Sequence, residues 1–218
     1  MTQTIITAGD ASAGLVQQGG NDGTLVLQTG AAGAKVATVS LDTSGNVAVL
    51  GAVTQNGIAT PRMVLSTTQA TTSGTAIDFT GIPSWVKRIT VMFSGVSTTG
   101  TNTILVQIGS GSVTTSGYIS YFGFAQPSGV STGTSTAGFG LWSANAADVH
   151  YGSMTLNALG SNLWVSSTAM GVFNGTSNFI VSGGGNVTLG SAIDRLRVTT
   201  VGGTDAFDAG SINILYEG

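Results

Sequence analysis

The chain of 218 residues is 41% hydrophobic and only 7% charged, and it carries a net charge of −3 without a single cysteine. Disordered chains combine low hydrophobicity with high charge, so this composition excludes disorder and predicts a packed core. The basic residues are scattered, which argues against a nucleic-acid partner. Without cysteine the chain has neither disulfides nor thiolate chemistry.

Charge is missing above all from the middle of the chain, where Asp148 is the only formally charged residue between Arg88 and Asp194. Because about a quarter of an ordinary soluble chain is charged, this stretch indicates a surface that is hidden in a larger particle. The start of the chain lacks the regions of a signal peptide, and no window approaches the ~20 apolar residues of a membrane span. We expect assembly in a reducing cytoplasm, without classical export or membrane insertion.

The first sixty residues contain short β-like units separated by Gly, Asn and Asp turns, and they include no aromatic residue. The units are 23–30, 35–41 and 46–51. Two or three thin strands are marginal in water, so we expect their aliphatic side chains to pack against the same strands of neighbouring chains. An Asn-Gly turn and a proline within 55–61 predict a boundary. We therefore divide the chain into an N-terminal segment, 1–57, and an outer domain, 58–218.

Apolar and polar residues alternate repeatedly along the outer domain, which predicts strands, and no window has a helical repeat. In 87–94, for example, Ile89, Val91 and Phe93 share one face. The candidate strands are 62–67, 87–94, 103–108, 117–122, 149–157, 162–172, 178–182, 186–189, 194–200 and 210–216. Glycine runs at 109–111 and 183–185 are interpreted as hairpin turns.

The spacing of these strands suits a sandwich, a jelly roll or a barrel. Of these we predict an all-β, jelly-roll-like β-sandwich, preceded by a short β-rich N-terminal attachment or shaft segment. Trp85, which follows a proline just before a strand, is expected to have a structural role, filling space at the start of that strand. Other aromatic residues are expected to pack in the core or between chains, namely Phe122, Phe124, Phe139, Trp164 and Phe173.

Two segments of the outer domain are similar to known virion proteins. The run from Phe79 to Asn102, FTGIPSWVKRITVMFSGVSTTGTN, and the ending from Arg195 to Glu217, RLRVTTVGGTDAFDAGSINILYE, resemble tailed-bacteriophage virion proteins of the tail-fibre or head-fibre type. The segment 41–51 is similar to the shaft-like repeat ahead of such domains. The resemblance implies a homotrimeric, β-rich appendage whose N-terminal segment binds other virion proteins of the capsid, neck or tail and whose C-terminal part faces outward.

Asp148-Val-His150, with Ser153 nearby, is the only grouping with the residue types of a catalytic triad. Alternation places Asp148 and His150 on one face of a strand, but it does not place a serine on the far side of the imidazole. We interpret His150 as a hydrogen-bonded strand residue or an interface group. A depolymerase-like glycosidase would need two carboxylates about 5 to 10 Å apart, and the sparse acids of the outer domain argue against it. We therefore predict a protein that is not an enzyme.

Metal and cofactor sites are not predicted either. One histidine and no cysteine make a zinc site hard to build, and Asp205 and Asp208 match no EF-hand spacing. These two aspartates are expected to close a turn through Asx hydrogen bonds or to pair with Arg195 or Arg197.

Residues 118–150 mix aromatic side chains with amide and carboxylate groups along a glycine-rich path. Sugars present apolar C–H faces and hydroxyl groups, so this mixture predicts a surface that binds host polysaccharide. Small and polar neighbours place Trp142 in a loop. The predicted contact residues are Tyr118, Tyr121, Trp142, Asn145, Asp148 and His150.

The leading hypothesis is a structural phage virion appendage, a fibre protein that forms a homotrimer and contributes to attachment to host-surface glycan. Its place would be the virion, after assembly in the cytoplasm of the host bacterium. The alternative is a purely structural capsid or tail decoration protein, or cement protein, without receptor binding.

Overall fold

The computed structural model describes residues 16–19, 25–29, 36–41, 44, 47–49, 54–55 and 58–218. Two compact units divide the chain, Met1–Pro61 and Arg62–Gly218. The division therefore falls at the C-terminal end of the stretch 55–61. Most of the predicted attachment segment, 1–57, lies outside the described residues.

The first unit contributes short strands. They are Val16–Gly19 (β1), Leu25–Thr29 (β2), Val36–Leu41 (β3), Val47–Val49 (β4), Thr54–Gln55 (β5) and Ile58–Ala59 (β6). Strands β1 to β4 pair in sequence order, each antiparallel to the next, and β5 pairs with β6. Strands β2, β3 and β4 fall within the units predicted from the sequence. Val47 and Val49 are both exposed within this unit.

The second unit is built from longer strands. They are Met63–Leu65 (β7), Gln69–Ala70 (β8), Ala76–Thr80 (β9), Arg88–Thr98 (β10), Ile104–Ser110 (β11), Ser112–Val113 (β12), Ile119–Gln126 (β13), Gly129–Ser135 (β14), Phe139–Leu141 (β15), Val149–Gly160 (β16), Leu163–Phe173 (β17), Asn178–Thr188 (β18), Arg195–Thr200 (β19) and Phe207–Glu217 (β20). A single 3-10 turn, Val201–Gly203, lies between the last two of these strands.

These strands form two antiparallel sheets. The large sheet has the order β14-β13-β18-β17-β16-β10-β20-β7, with β8 also paired to β20, and the small sheet has the order β12-β11-β19-β9, with β15 also paired to β11. Early strands of the unit lie beside late ones, as β9 does beside β19. The hairpin of β17 and β18 lies between β16 and β13. The predicted all-β class and β-sandwich are confirmed.

The core lies between the sheets. Ile89, Val91 and Phe93, which were predicted to share one face of a strand, are buried on β10. Ile104 and Leu196 of the small sheet belong to the same cluster. Each aliphatic side chain buried in this way contributes about 1.5 to 3 kcal/mol to stability. Hydrophobic burial, without disulfides, therefore holds the sandwich together.

One glycine run is not the predicted hairpin. Gly183 and Gly185 lie inside β18, which runs unbroken where the sequence predicted two strands. A Cβ atom at Gly183 would lie 2.9 Å from the carbonyl oxygen of Tyr121, and one at Gly185 would lie 2.2 Å from that of Ile119. Because these glycines have no side chain, the backbone of β13 can lie close to that of β18. The other run is a turn as predicted, because Gly111, with φ of +72°, connects β11 to β12.

Candidate functional site

The predicted contact residues do not form one surface site. Tyr118, Asp148 and His150 are buried, with exposed fractions of 1%, 2% and 0%. Trp142 is half-buried, and only Tyr121 and Asn145 are exposed. The expectation that the buried residues meet a polysaccharide at the surface is therefore corrected.

Tyr118 is a core residue just before β13. Its hydroxyl accepts a hydrogen bond from the backbone N–H of Ile108 at 2.8 Å and lies 3.1 Å from the carbonyl oxygen of Thr114. Its ring meets Phe139 edge-on, with the centroids 5.0 Å apart. Burial raises the pKa of Tyr118 to about 12. The side chain thus ties the end of β11 to the core and presents nothing to a ligand.

Asp148 and His150 do not assemble a catalytic triad with Ser153. Both ring nitrogens of His150 face backbone carbonyl oxygens, those of Val96 and Trp142. His150 is thus a hydrogen-bonded strand residue of β16. Asp148 closes the preceding loop, because one of its oxygens accepts from two backbone N–H groups within that loop.

Trp142 lies in the loop after β15, as its small and polar neighbours predicted. Its ring packs against Phe124, with the centroids 4.8 Å apart, and approaches Phe122 at 6.5 Å. Phe122 is buried on the inner face of β13, whereas its neighbour Tyr121 points to the opposite face and is 64% exposed. Trp142 and Tyr121 therefore lie on different faces of the large sheet.

The charged pairs also differ from the prediction. Arg197 makes two hydrogen bonds of 2.7 Å to Asp78, and Arg195 pairs with Asp194 at 2.7 Å. The Arg195 hydrogen bond lowers the pKa of Asp194. The predicted pairing of these arginines with Asp205 or Asp208 is wrong. Arg197 pairs instead with Asp78 of the neighbouring strand β9, and Arg195 pairs with the residue before it, Asp194.

The two aspartates near the C-terminus have neutral partners. Asp205 accepts from the backbone N–H of Asn102 at 2.9 Å and from its side-chain amide at 2.8 Å, and Asp208 accepts from the hydroxyl of Ser97. Within the described part of the chain, no group of three or more His, Asp or Glu side chains is placed to hold a metal ion. The same residues include no helix long and apolar enough to cross a membrane.

The surface that stands out is the face of the large sheet that points away from the core, here called the outer face. It carries large apolar side chains with high exposure on neighbouring strands, namely Tyr121 (64%), Val130 (78%), Tyr151 (51%), Phe173 (47%) and Ile180 (61%). Strands β13, β14, β16, β17 and β18 contain no Asp, Glu, Lys or Arg. Serine, threonine, alanine and glycine fill most of the space between the large side chains.

Two concavities lie on the outer face and share Ala125. The first has a volume of about 640 Å³ and is lined by Tyr151, Phe173 and Ile180, with the amides of Gln126 and Asn178 beside them. The second has a volume of about 440 Å³ and is lined by residues of β13, β14 and β18, among them Tyr121 and Val130. The two concavities adjoin at Ala125.

Sequence reasoning missed Tyr151 and Ile180 as surface residues and left Phe173 among residues packed in the core or between chains. A signal was available, because alternation places Tyr151 on the face opposite His150. It was not decisive, since alternation separates two faces without saying which one is buried.

β14 forms one edge of the large sheet. It pairs with β13, and no strand among the described residues pairs with its other side. Natural edge strands are kept apart by charge, proline or irregular geometry. β14, with the sequence GVSTGTS, contains neither a charged residue nor a proline.

Comparison of the chain with protein-family models, with curated proteins and with solved structures gave no match.

Proposed function

We propose that this chain is a structural subunit of a phage virion fibre that assembles as a homotrimer and contributes to attachment to host-surface glycan. The observation that carries the proposal is the part of the outer face formed by β13, β14, β16, β17 and β18, which exposes large apolar side chains, contains no Asp, Glu, Lys or Arg and is bordered by an unprotected edge strand. Interface cores are depleted of charged residues and enriched in tyrosine and phenylalanine, which is the composition of this face. The resemblance of the outer domain to fibre proteins supports the same assignment.

Contact between copies involves β14 and the second concavity. An edge strand of this kind adds a strand or a surface from another chain unless something covers it. Val130 projects from the edge with 78% of its surface exposed. A neighbouring copy is a fitting cover, because its own strands β13 and β14 are equally free of charge and need no ion pair across the interface.

The glycan contact is assigned to the first concavity. Tyr151 and Phe173 offer ring faces to the C–H faces of a sugar, and Gln126 and Asn178 offer amide groups to its hydroxyls. We expect Tyr151→Ala to weaken binding by about 1 to 3 kcal/mol, as for an aromatic contact residue. Thr80→Ala, an exposed position on β9 of the small sheet, is the matched control and leaves binding unchanged. A glycan array probed with the folded full-length chain provides the measurement.

Docking on the virion is assigned to residues 1–57. Deletion of this segment is expected to abolish incorporation into particles while the outer domain stays folded, since the two units are compact separately. Particles produced with the truncated chain are to be analysed for its presence. If the truncated chain still decorates them, the docking assignment is wrong.

A decoration or cement protein is the second candidate. It is favoured by the lining of the first concavity, where apolar side chains prevail and the amides of Gln126 and Asn178 are among the few polar groups. Sugar sites need more polar contacts than packing surfaces do. No binding on the glycan array, together with particles that lose heat stability when the chain is absent, would favour this candidate over the receptor-binding one.

A further inference from the structure

The turn between β17 and β18 contains the one Asn-Gly pair of residues 58–218, Asn174-Gly175. The proposed attachment function does not use it. Asparagine is among the thermolabile residues, because the backbone nitrogen of the next residue can attack its side-chain carbonyl carbon and close a cyclic imide. This reaction needs an accessible nitrogen, an activated carbonyl group and an amide that can leave.

The backbone nitrogen of Gly175 is accessible. Gly175 is exposed, and with a φ of +85° it has a conformation that favours glycine. The space beside it is open, since a Cβ atom placed there would meet nothing within 4 Å. Its N–H group donates to no acceptor among the described residues. Neither a hydrogen bond nor a neighbouring side chain therefore keeps this nitrogen from reacting.

The side-chain carbonyl group of Asn174 is activated by the same turn. Its Oδ1 accepts hydrogen bonds from the hydroxyl of Thr176 at 3.0 Å, from the backbone N–H of Thr176 at 3.3 Å and from that of Ser177 at 2.9 Å. Attack on the carbon moves negative charge onto this oxygen. Donors that already point at an oxygen where charge develops lower the barrier of the reaction. The turn thus surrounds Oδ1 in the way that an oxyanion hole does.

The reaction balances with water and hydroxide as the only co-reactants. Hydroxide removes the proton from the Gly175 nitrogen, which then forms a bond to Cγ of Asn174. The tetrahedral intermediate collapses when the bond from Cγ to Nδ2 breaks, and Nδ2 takes up a proton and leaves as ammonia. Water adds to either carbonyl group of the imide and breaks one bond to nitrogen. The product is aspartate or isoaspartate, and nothing is oxidised or reduced.

We propose that Asn174 is a site of spontaneous deamidation in the folded protein, promoted by the hydrogen-bond donors of Thr176 and Ser177. The product has a negative charge where the asparagine was neutral. It follows Phe173, which lines the first concavity, and it lies in the stretch between Arg88 and Asp194 where Asp148 is the only charged residue. Ageing chains therefore gain a negative charge beside the first concavity.

Incubation of the folded full-length chain tests the site. Peptide mapping by mass spectrometry detects, at each asparagine, the mass gained when an amide becomes an acid. We expect aspartate and isoaspartate at Asn174, formed faster at about pH 8.5 than at about pH 6 because base removes the N–H proton. Asn213 should stay unchanged, since the next nitrogen, that of Ile214, donates a hydrogen bond to the Asn213 side chain. No product at Asn174, in chains that circular dichroism shows to be folded, would overturn the proposal.

A variant tests the role of the turn. Thr176→Val keeps the shape of the side chain and the backbone N–H but removes the hydroxyl donor. We expect conversion of Asn174 to slow by up to about tenfold, the change in rate that corresponds to one hydrogen bond. Asn56-Gly57, the other Asn-Gly pair of the chain, lies outside the described residues and provides the internal control in the same digest, with one rate in both proteins.

Thr80→Val, a change on the small sheet, is the matched control variant and should leave the rate at Asn174 as in wild type. Equal rates at Asn174 in wild type and Thr176→Val would contradict activation by the hydroxyl. If Thr176→Val does not fold, the wild-type digest and its pH dependence decide, because they require no substitution.

Discussion

The two sheets of the sandwich present different surfaces to solvent. On the small sheet, Asp78 of β9 and Arg197 of β19 form a doubly hydrogen-bonded ion pair, and Arg195 pairs with Asp194 beside it. On the large sheet, β10 and β20 carry the Arg88–Glu217 pair, but β13, β14, β16, β17 and β18 contain no Asp, Glu, Lys or Arg and expose apolar residues such as Tyr121. Charge keeps a sheet surface and its edge from joining other chains. The comparison shows where exposed apolar residues without formal charge are concentrated, and this is the region to which we assign the proposed contact between copies.

The largest effect on stability is expected from truncating a buried side chain of β17. Trp164 is 3% exposed on its inner face, whereas Phe173 on the same strand is 47% exposed on the outer face. We expect Trp164→Ala to lower the free energy of unfolding by about 3 to 5 kcal/mol, because a buried aromatic leaves a cavity. Phe173→Ala should change the stability of the isolated outer domain far less. Denaturant unfolding of residues 58–218 measures both, and equal losses would contradict the division into faces.

Two tyrosines near β13 give the next largest difference. Tyr118→Phe removes the hydroxyl that serves the buried N–H of Ile108, and an unsatisfied buried donor costs about 1 to 3 kcal/mol. Tyr121→Phe removes an exposed hydroxyl from the outer face and should alter stability little. Thermal or denaturant unfolding of the two variants tests this contrast. It fails if Tyr118→Phe is as stable as Tyr121→Phe.

The same buried hydroxyl predicts a response to alkaline pH. Tyr118 has a pKa of about 12 in the fold, against about 10 for an unfolded tyrosine. The neutral form is thus favoured by folding, so its contribution is complete below about pH 10 and is lost as the pH rises towards 12. Unfolding curves collected across this range should show wild type losing stability more steeply than Tyr118→Phe. Parallel curves for the two proteins would argue against a buried, neutral Tyr118.

The smallest effect is expected from the ion pair of the small sheet. The Asp78 and Arg197 side chains are 42% and 37% exposed, and exposed pairs contribute roughly 0 to 1 kcal/mol. Arg197→Gln should therefore lower stability by no more than about 1 kcal/mol, and less at high salt because the charges are screened. A loss that is larger and independent of salt would mean that the pair has a structural role beyond surface solvation.

The long strands could be predicted from the sequence because apolar residues on one face alternate with polar residues on the other. β10, β16 and β20 alternate apolar and polar residues over most of their length, and each was anticipated within a few residues. β14 was missed because serine, threonine and glycine fill it, and β9 and β15 are short. The run at Gly183 was misjudged because glycine serves close strand contact as well as turns.

The site was harder to predict than the fold. Residue type suggested that Tyr118, Asp148 and His150 are at the surface, yet all three are buried. Tyr118 and His150 are hydrogen-bonded to backbone groups of other strands, and Asp148 to backbone groups of its own loop. The backbone partners of Tyr118 and His150 are positioned by sheet topology and, near Val96, by a register shift between Ser94 and Val96 where β10 pairs with β16. Neither leaves a local sequence pattern. Similarly, alternation shows that Tyr151 and His150 occupy opposite faces, but only the position of the small sheet decides which face is the core.

Contact between copies at the edge of the large sheet is the central claim, and light scattering at micromolar concentration tests it most directly. We predict that the wild-type chain has the mass of three copies and that Val130→Lys, which places a charge on β14, yields folded single chains. Thr80→Lys, which places the same charge on the edge strand β9 of the small sheet, should remain trimeric. A wild-type chain that is a stable monomer, or a Val130→Lys variant that stays trimeric, would contradict the account.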